Sequence, residues 1–385
     1  MALLAIATFS ATANLRVSDS LLPQVAAEFG TSVGTAAIII TAFSLAFGCF
    51  QLFYGTIGDR LGKYRVICAV CFVSALATGS CAFMPDLHSL AAARFASGVA
   101  SAAIVPLGMA WIGDVVPYDR RQGILAKFLT GQILGMIFGQ VAGGLLGDLI
   151  GWRYVFLVLG GVHLLGGLGT LLEITRTPAL RGVAVTGSQA GPASIAASFR
   201  AVLARPWARV VLLGVFAEGF AMFGAFAYIG ADLHRRFGLG FGAVGLILAA
   251  YGTGGMVYAW SARRLVARIG ERGLVAVGTI VAAASYAALS LVTVPAAAFV
   301  AILGLGAGFW MLHNTRQTHA TQMAPEQRGV AMSLFASCFF MGQSLGVALA
   351  ALLVDWHGTM PVFLAAAVML LAVGFWFRGQ LARRM

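Results

Sequence analysis

The stretch GTIGDRLGKYR, residues 55–65, places three basic residues and one acidic residue between two long apolar runs. These runs lie near 33–55 and 64–84. An α-helix of about 20 apolar residues is long enough to cross the hydrocarbon core of a bilayer. The stretch is therefore expected to form a short charged loop between two membrane-spanning helices.

The rest of the chain continues this pattern of apolar runs and short breaks. Of its 385 residues, 60% are hydrophobic and only 10% are charged, and the mean hydropathy is +0.91. A soluble domain of this length does not keep so much apolar surface away from water. The expected spans lie near 2–27, 33–55, 64–84, 87–113, 122–148, 152–174, 208–232, 241–262, 273–293, 295–323, 329–354 and 359–378. The chain is thus expected to be an all-α membrane protein with twelve transmembrane helices.

One connection is much longer than the others and is rich in proline and glycine, which favour loops. It covers residues 175–207 and separates two sets of six spans. We therefore expect an N-terminal six-helix bundle at 1–174, a linker at 175–207 and a C-terminal six-helix bundle at 208–385. Within the linker, residues 194–203 are expected to form a short helix on the membrane surface.

The two sets of spans also look alike in sequence. Equivalent residues recur 207 or 208 positions apart: Gly62 and Gly270, Pro117 and Pro325, Arg120 and Arg328, and Gly151 and Gly358. A shared spacing of this kind indicates an internal duplication, and so two pseudo-symmetric halves.

The basic residues indicate the orientation of the spans. With both termini inside the cell, 18 of the 25 Lys and Arg residues fall in inner loops, 3 in outer loops and 4 in or near spans. Such a bias is typical of inner loops in membrane proteins. The net charge of +12 is scattered over the loops and not gathered on one face, so no nucleic-acid partner is expected. The first apolar run begins at Met1 without a basic lead, and we interpret it as a span and not as a cleaved signal.

Three motifs resemble those of the major facilitator superfamily. Residues 55–65 are similar to its signature G-x-L-x-D-R-x-G-R-K, and Arg94-Phe-Ala-Ser-Gly98 is similar to its R-x-x-Q-G motif. The fifth span resembles G-x-x-x-G-P-x-x-G-G, with Gln140 where the family has proline. Within the superfamily the chain looks most like the twelve-span drug and metabolite proton antiporters. The resemblance implies two helical bundles that bind substrate between them near the midplane.

The signature loop is expected to act as a cytoplasmic gate. Its glycines permit close helix approach, and Asp59 lies where the N-terminus of a facing helix can attract it. The family resemblance implies that this helix is the eleventh span, near Gly329. Lys63 is placed to pair with Asp114. The expected gate residues are Gly55, Gly58, Asp59, Arg60, Gly62, Lys63, Asp114 and Arg120. The alternative is that these charges only set topology and anchor the loop.

Charged residues inside spans cost about 2.5 to 3.5 kcal/mol each on insertion scales, so each one is a functional candidate. Asp19, in a segment resembling the D-x-x-L-P of drug antiporters, is the first candidate for the proton carrier, with Arg94 and Glu218 also expected in proton coupling. The alternatives are a fixed Arg16–Asp19 ion pair or a helix-end position for Asp19, and a glutamate hydrogen-bonded between helices for Glu218.

Polar side chains in the tenth span are expected to face the substrate. His313 and Gln317 are four residues apart and share a helix face, to which Asn314 is adjacent. The expected substrate-binding residues are Arg16, Gln140, Phe223, Trp310, His313, Asn314 and Gln317. Arg316 is left out of this group because snorkelling to the cytoplasmic end explains it adequately, and Gln140 has the alternative of bridging two helices.

These observations predict a secondary transporter of the inner membrane that exports a small, partly apolar organic compound or drug in exchange for protons. The alternatives are proton-coupled or facilitated uptake of a small polar metabolite and, from another class, a non-transporting receptor or membrane enzyme. The five cysteines lie in apolar runs without a second pair at metal spacing, and no phosphate-binding loop occurs. We therefore expect a non-enzymatic monomer without cofactor or metal, whose partners are its substrate, protons and the lipid bilayer.

Overall fold

Long apolar stretches form helices along most of the chain. The computed structural model describes residues 2–116, 118–177 and 192–384. The first six long helices are α1 (Ala2–Glu28), α2 (Val33–Leu61), α3 (Lys63–Phe83), α4 (Leu87–Val115), α5 (Tyr118–Ile150) and α6 (Trp152–Arg176). The others are α7 (Pro206–Phe237), α8 and α9 within Phe241–Leu291, α10 (Pro295–Gln322), α11 (Arg328–His357) and α12 (Thr359–Arg384).

Ten of the helices in the described residues are long and apolar enough to cross a membrane. One of these, Phe241–Leu291, is broken at Gly270, whose φ of 63° and ψ of 179° are not helical, and so it comprises α8 (241–269) and α9 (271–291). The 27-residue helix α1 is not among the ten, and it carries buried polar and charged side chains. Counting α8 and α9 separately and adding α1 gives twelve helices, the number expected from the sequence.

Glycines set the packing of α5 against α1 and of α11 against α7. A Cβ at Gly139 would lie 2.3 Å from the main-chain oxygen of Ala13, and a Cβ at Gly346 would lie 2.3 Å from that of Phe220. Gly139 and Gly346 are related by the spacing of the duplicated sequence. The same pair of helix contacts therefore occurs once in each half, because only glycine permits these backbones to approach so closely.

The two ends of the helix bundle differ in charge. The end that holds the α2–α3 connection carries most of the loop arginines, and we call it the arginine-rich end; Arg153, Arg235 and Arg236 lie at the other, the arginine-poor end. Single glycines with positive φ connect helices at the arginine-rich end: Gly62 (φ 88°) between α2 and α3, and Gly270 between α8 and α9. A residue with a side chain rarely adopts these angles, so glycine is needed at both positions.

The halves meet along α2 and α11 on one side and along α5 and α8 on the other. On α2, the segment from Gly34 to Gly48 lies in close contact with α11. On α8, the segment from Gly242 to Gly252 lies in close contact with α5. These segments lie towards the arginine-poor end. At the arginine-rich end, Gly329 has no heavy atom within 4 Å of the position that a Cβ would take. The halves are thus packed together at the arginine-poor end.

A short helix, Pro192–Leu203, precedes α7. It includes the surface helix expected over residues 194–203. Its Val202 is 1% exposed and belongs to the core that α7 and α11 share. This helix therefore lies against the second half at the arginine-rich end.

Candidate functional site

Arg16 and Asp19 lie on the buried face of α1 and form an ion pair. The Nη1 atom of Arg16 is 3.5 Å from the Oδ2 atom of Asp19, and the two residues are 2% and 1% exposed. The expected alternative of a pair within one helix face is therefore present. The main-chain oxygen of Asp19 also meets the second half, because a Cβ at Gly230 of α7 would lie 2.8 Å from it. Asp19 thus lies at the contact surface between the two halves, which we call the seam.

Arg16 reaches across this seam. Its guanidinium carbon is 3.8 Å from the centre of the Phe223 ring on α7, and its Nη2 is 3.5 Å from Oε1 of Gln343 on α11. A guanidinium over an aromatic ring is attracted by the ring's negative face. Arg16 therefore contacts both its own carboxylate and two side chains of the other half.

Gln343 completes a polar bridge between the halves that was not expected from the sequence. Its Nε2 donates a hydrogen bond of 2.8 Å to Oγ of Ser44 on α2. The amide thereby accepts from Arg16 and donates to Ser44, and it is 1% exposed. A signal was available, since a glutamine in the middle of an apolar span has to find partners inside the protein.

Arg94, on α4, lies inside the first half and is fully buried. It donates hydrogen bonds to the side-chain oxygen of Asn14 at 2.6 Å and to the main-chain oxygen of Asn14 at 3.1 Å. Its guanidinium also lies over the Phe43 ring at 4.2 Å. The hydrogen bonds of Arg94 tie α4 to α1, and its contact with Phe43 adds α2.

Asn14 is a second residue that the sequence reasoning missed. Its amide nitrogen donates to Thr78 Oγ1 at 3.0 Å and to Ser97 Oγ at 2.8 Å, on α3 and α4. The side chain therefore uses its oxygen for Arg94 and its nitrogen for two hydroxyls. This network holds the arginine in place without a carboxylate.

Glu218 lies on α7 within the second half and has two basic neighbours on α10. Its Oε1 is 3.1 Å from Nη1 of Arg316, and its Oε2 is 3.4 Å from Nδ1 of His313. The expectation that Arg316 snorkels to the end of its span is wrong, because the residue is 1% exposed. A buried guanidinium requires a partner, and Glu218 supplies it. The expected alternative for Glu218 was a hydrogen bond between helices; the contacts found between α7 and α10 are ion pairs, and among the described residues neither carboxylate oxygen accepts a hydrogen bond.

Aromatic rings surround His313 and extend to Phe223. The His313 ring stacks on Phe309 with centroids 5.0 Å apart and lies 4.9 Å from Phe339. Phe223 in turn contacts Phe309 and Phe339 at 5.3 and 5.6 Å. The cluster of Phe223, Phe309, His313 and Phe339 therefore links the Arg16 contact to the Glu218 contact.

The remaining expected substrate residues differ in their surroundings. Trp310 packs against α8, since a Cβ at Gly255 would lie 2.4 Å from its ring, and Asn314 is half-buried. Gln317 is partly exposed. Gln140 is fully buried on α5, and neither of its side-chain polar atoms has a hydrogen-bond partner among the described residues. The structure thus brings Arg16, Phe223 and His313 together and leaves Gln140 as a separate buried amide.

The expected gate residues lie around the start of α3. Lys63 Nζ is 2.7 Å from Asp114 and 2.8 Å from Asp59, so the expected Lys63–Asp114 pair is present. The charged contact described for Asp59 is with Lys63, in its own half, and not with the start of α11. These carboxylates are 41% exposed, and ion pairs at such exposure are weak.

The three gate glycines differ in their surroundings. Gly58 packs on α4, where a Cβ would lie 2.6 Å from Leu107, and Gly62 provides the positive φ described above. Gly55 has open space within 4 Å, so the close helix approach expected there is absent from this structure. Arg60 lies in the last turn of α2, and the side chain of Arg120 lies outside the described residues.

The chemistry available here is ion pairing, proton exchange and aromatic contact. Within the part of the chain that the structure describes, no three His, Cys, Asp or Glu side chains are grouped so as to hold a metal. The titratable groups of this part of the protein include Asp19, Glu218 and His313. Asp19 pairs with Arg16 on its own helix, and Glu218 on α7 pairs with His313 and Arg316 on α10.

Several curated proteins resemble this chain in sequence. It is 28% identical to the "Puromycin resistance protein pur8" of Streptomyces alboniger, with 88% of this chain and 80% of that protein aligned. It is 25% identical to the "Uncharacterized MFS-type transporter YwfA" of Bacillus subtilis (strain 168), over 65% of this chain and 60% of that protein. A 25% match to the "Putative multidrug resistance protein MdtD" of Serratia proteamaculans covers 43% of this chain and 34% of that protein. The chain thus spans less than two thirds of the length of several of these relatives.

Solved structures with the same fold are also transporters. The nucleoside transporter NupG superposes with a TM-score of 0.78 at 13% identity, covering 98% of both chains. A bacterial homologue of the human lysosomal transporter Spinster gives a TM-score of 0.75 at 19% identity, covering 98% of this chain and 95% of the other. The sequence profile described as "Major Facilitator Superfamily" matches residues 4–326. Because this match covers most of its length, the chain belongs to the major facilitator superfamily.

Proposed function

We propose that this transporter exports a small, partly apolar organic compound in exchange for protons. The observation that carries the proposal is the position of Asp19: a buried carboxylate on α1, paired with Arg16, at the seam between the halves. A titratable group at this place changes its surroundings whenever the halves move apart. Two relatives carry the names of resistance proteins, which supports export and an organic substrate.

The coupling follows from the contacts of Arg16. While Asp19 is ionised, the guanidinium is held by a carboxylate in its own half and by Phe223 and Gln343 in the other. Protonation of Asp19 removes the negative charge that attracts the Arg16 guanidinium within the first half. Separation of the halves changes the solvation of Asp19 and removes Phe223 and Gln343 from the Arg16 guanidinium, and either change alters the proton affinity of Asp19. Proton transfer and helix movement are thereby linked.

Alternating access is the proposed movement. We assign the arginine-rich end to the cytoplasm by the preference of basic residues for inner loops. The packing of α2 on α11 and of α5 on α8 then closes the outer side, so the described conformation corresponds to an inward-facing state. Rocking of the halves would open the arginine-poor end and bring Asp59 towards α11.

Transport in proteoliposomes tests the function and its direction. The purified protein is reconstituted with an imposed pH gradient, and puromycin, taken from the name of one relative, is the first probe of a set of organic cations, neutral drugs and nucleosides. Export predicts probe movement against the flow of protons and its loss when an ionophore collapses the gradient. Movement of probe and protons in the same direction would replace the proposal with symport.

Uptake of a polar metabolite is the second candidate, and the polar row on α10 favours it. His313, Asn314 and Gln317 lie within two turns, and all three are partly exposed. A site that bonds to polar substrate groups discriminates strongly against analogues that lack them. Saturable transport of a nucleoside or another polar probe, without transport of apolar probes, would favour this candidate.

A further inference from the structure

Two carboxylates at the arginine-poor end occupy equivalent places in the two halves. Asp148, near the end of α5, accepts a hydrogen bond of 3.1 Å from the main-chain N–H of Gly242, at the start of α8. Asp355, near the end of α11, accepts one of 2.9 Å from the main-chain N–H of Gly34, at the start of α2. The two aspartates are related by the spacing of the internal duplication, and so are the two glycines. Each half therefore offers one carboxylate and one helix start to the other half.

The partner in both contacts is the second residue of its helix. α8 begins at Phe241 and α2 at Val33, so Gly242 and Gly34 donate N–H groups that have no acceptor within their own helix. The N-terminus of a helix also carries a partial positive charge, which attracts a carboxylate. Space is limited as well: a Cβ at Gly34 would lie 2.5 Å from both carboxylate oxygens of Asp355.

The two contacts differ in one hydrogen bond. The Ser32 hydroxyl, at the N-cap of α2, donates to Oδ2 of Asp355 at 2.6 Å. The equivalent position before α8 is Gly240, which has no hydroxyl to donate. The α2–α11 contact is therefore the stronger of the two.

Another carboxylate at this end provides a comparison. Glu28 forms an ion pair of 2.7 Å with Arg153, and both residues belong to the first half. Opening between the halves does not require this pair to break. Glu28 thus has the charge and the location of Asp148 and Asp355 without bridging the seam.

We propose that Asp148 and Asp355 are gating residues, a duplicated pair of latches that hold the arginine-poor end closed and release together when that end opens. This inference rests on the alternating access in the proposed function. Both aspartates are exposed and lie at helix ends, so each latch contributes to the balance between conformations more than to folding. Neither residue contacts the Arg16–Asp19 pair.

The test measures the distance between the halves at this end. Nitroxide labels are placed at His88→Cys on the first half and Val294→Cys on the second, both exposed, after replacement of the five native cysteines by alanine. Double electron–electron resonance on protein in liposomes gives the fraction of molecules with the longer distance. Asp148→Asn and Asp355→Asn are each expected to raise the ratio of open to closed molecules by about two- to fivefold, the range for a charge at a helix N-terminus.

The inference also predicts how the effects of the two latches on the ratio of open to closed molecules combine. The double variant should raise the ratio by the product of the two single effects, because separated sites act independently. Ser32→Ala should weaken the α2 latch alone, and Gly240→Ser should lower the open fraction by restoring the missing donor. Glu28→Gln is the matched control and should leave the ratio unchanged.

Two results would overturn the inference. One is an unchanged distance distribution in Asp148→Asn and Asp355→Asn, with monodisperse protein in gel filtration. The other is an equal shift in Glu28→Gln. The measurement needs neither substrate nor a proton gradient, so it is independent of the transport assay. A shift in distances without proton-coupled export would contradict the proposed function and still support the role of Asp148 and Asp355.

Discussion

Glu218 and Arg316 form an ion pair of 3.1 Å between α7 and α10, and both side chains are 1% exposed. Removal of one partner would leave the other as an uncompensated charge in the interior, at a cost of about 3–5 kcal/mol. Glu218→Gln is therefore expected to lower the melting temperature of the purified protein substantially. Glu218→Gln combined with Arg316→Met should recover most of the loss. An unchanged melting temperature in Glu218→Gln, accompanied by loss of proton coupling, would assign this carboxylate to proton transfer instead.

Asp19→Asn is expected to abolish transport driven by a proton gradient and to retain substrate binding. Asparagine has the shape of the protonated carboxyl group and cannot release a proton. The measurement is proton release on addition of a transported probe to detergent-solubilised protein, compared between wild type and variant. Asp232→Asn is the control, because Asp232 is a buried carboxylate that pairs with Arg236 within the second half. Equal proton release from wild type and Asp19→Asn would show that a group other than Asp19 carries the proton.

Asp59→Asn is expected to reduce transport by roughly tenfold or more, within the usual range of coupling free energies of about 1–3 kcal/mol, at nearly normal abundance. Asp114→Asn is the informative comparison, since Asp59 and Asp114 both pair with Lys63. A larger loss in Asp59→Asn supports a second contact for Asp59 in the other conformation. Equal losses would reduce the role of both residues to holding Lys63.

Gly139→Ala is expected to destabilise the protein, because its Cβ would lie 2.3 Å from the main chain of α1. Gly346→Ala, the equivalent change in the second half, meets α7 at the same distance and should behave alike. Gly161→Ala is the matched control: this glycine also lies in a long helix, but with nothing within 4 Å of its Cβ position. Alanine favours a helix over glycine by about 1 kcal/mol, so the control should be neutral or stabilising. The melting temperatures of the three variants, each compared with that of the wild type, test this prediction.

Helix positions were predictable from the sequence because each depends on a long local run of apolar residues. The run near 152–174, for example, became Trp152–Arg176. The signature motif likewise predicted that Lys63 pairs with Asp114, and the structure contains this pair. Such features depend on short separations along the chain or on motifs read directly from it.

The contacts across the seam were not predictable in this way. Arg16 and Gln343 are 327 residues apart, and their contact depends on how two bundles pack. The burial of Arg316 is similar: its position near the end of α10 made snorkelling reasonable, and only the neighbouring Glu218 of α7 explains its depth. The partners of a polar residue within a span depend on helix rotation, which hydropathy does not determine.

The single-glycine links at Gly62 and Gly270 have a mechanical consequence. α2 and α8 lie at the seam, and each continues after one residue into α3 or α9. So short a link leaves no slack, so a tilt of α2 or α8 must be passed on to the next helix. Insertion of even a few flexible residues at either glycine would uncouple the tilt of one helix from the next. Both halves would then still fold, but each would no longer move as a rigid body.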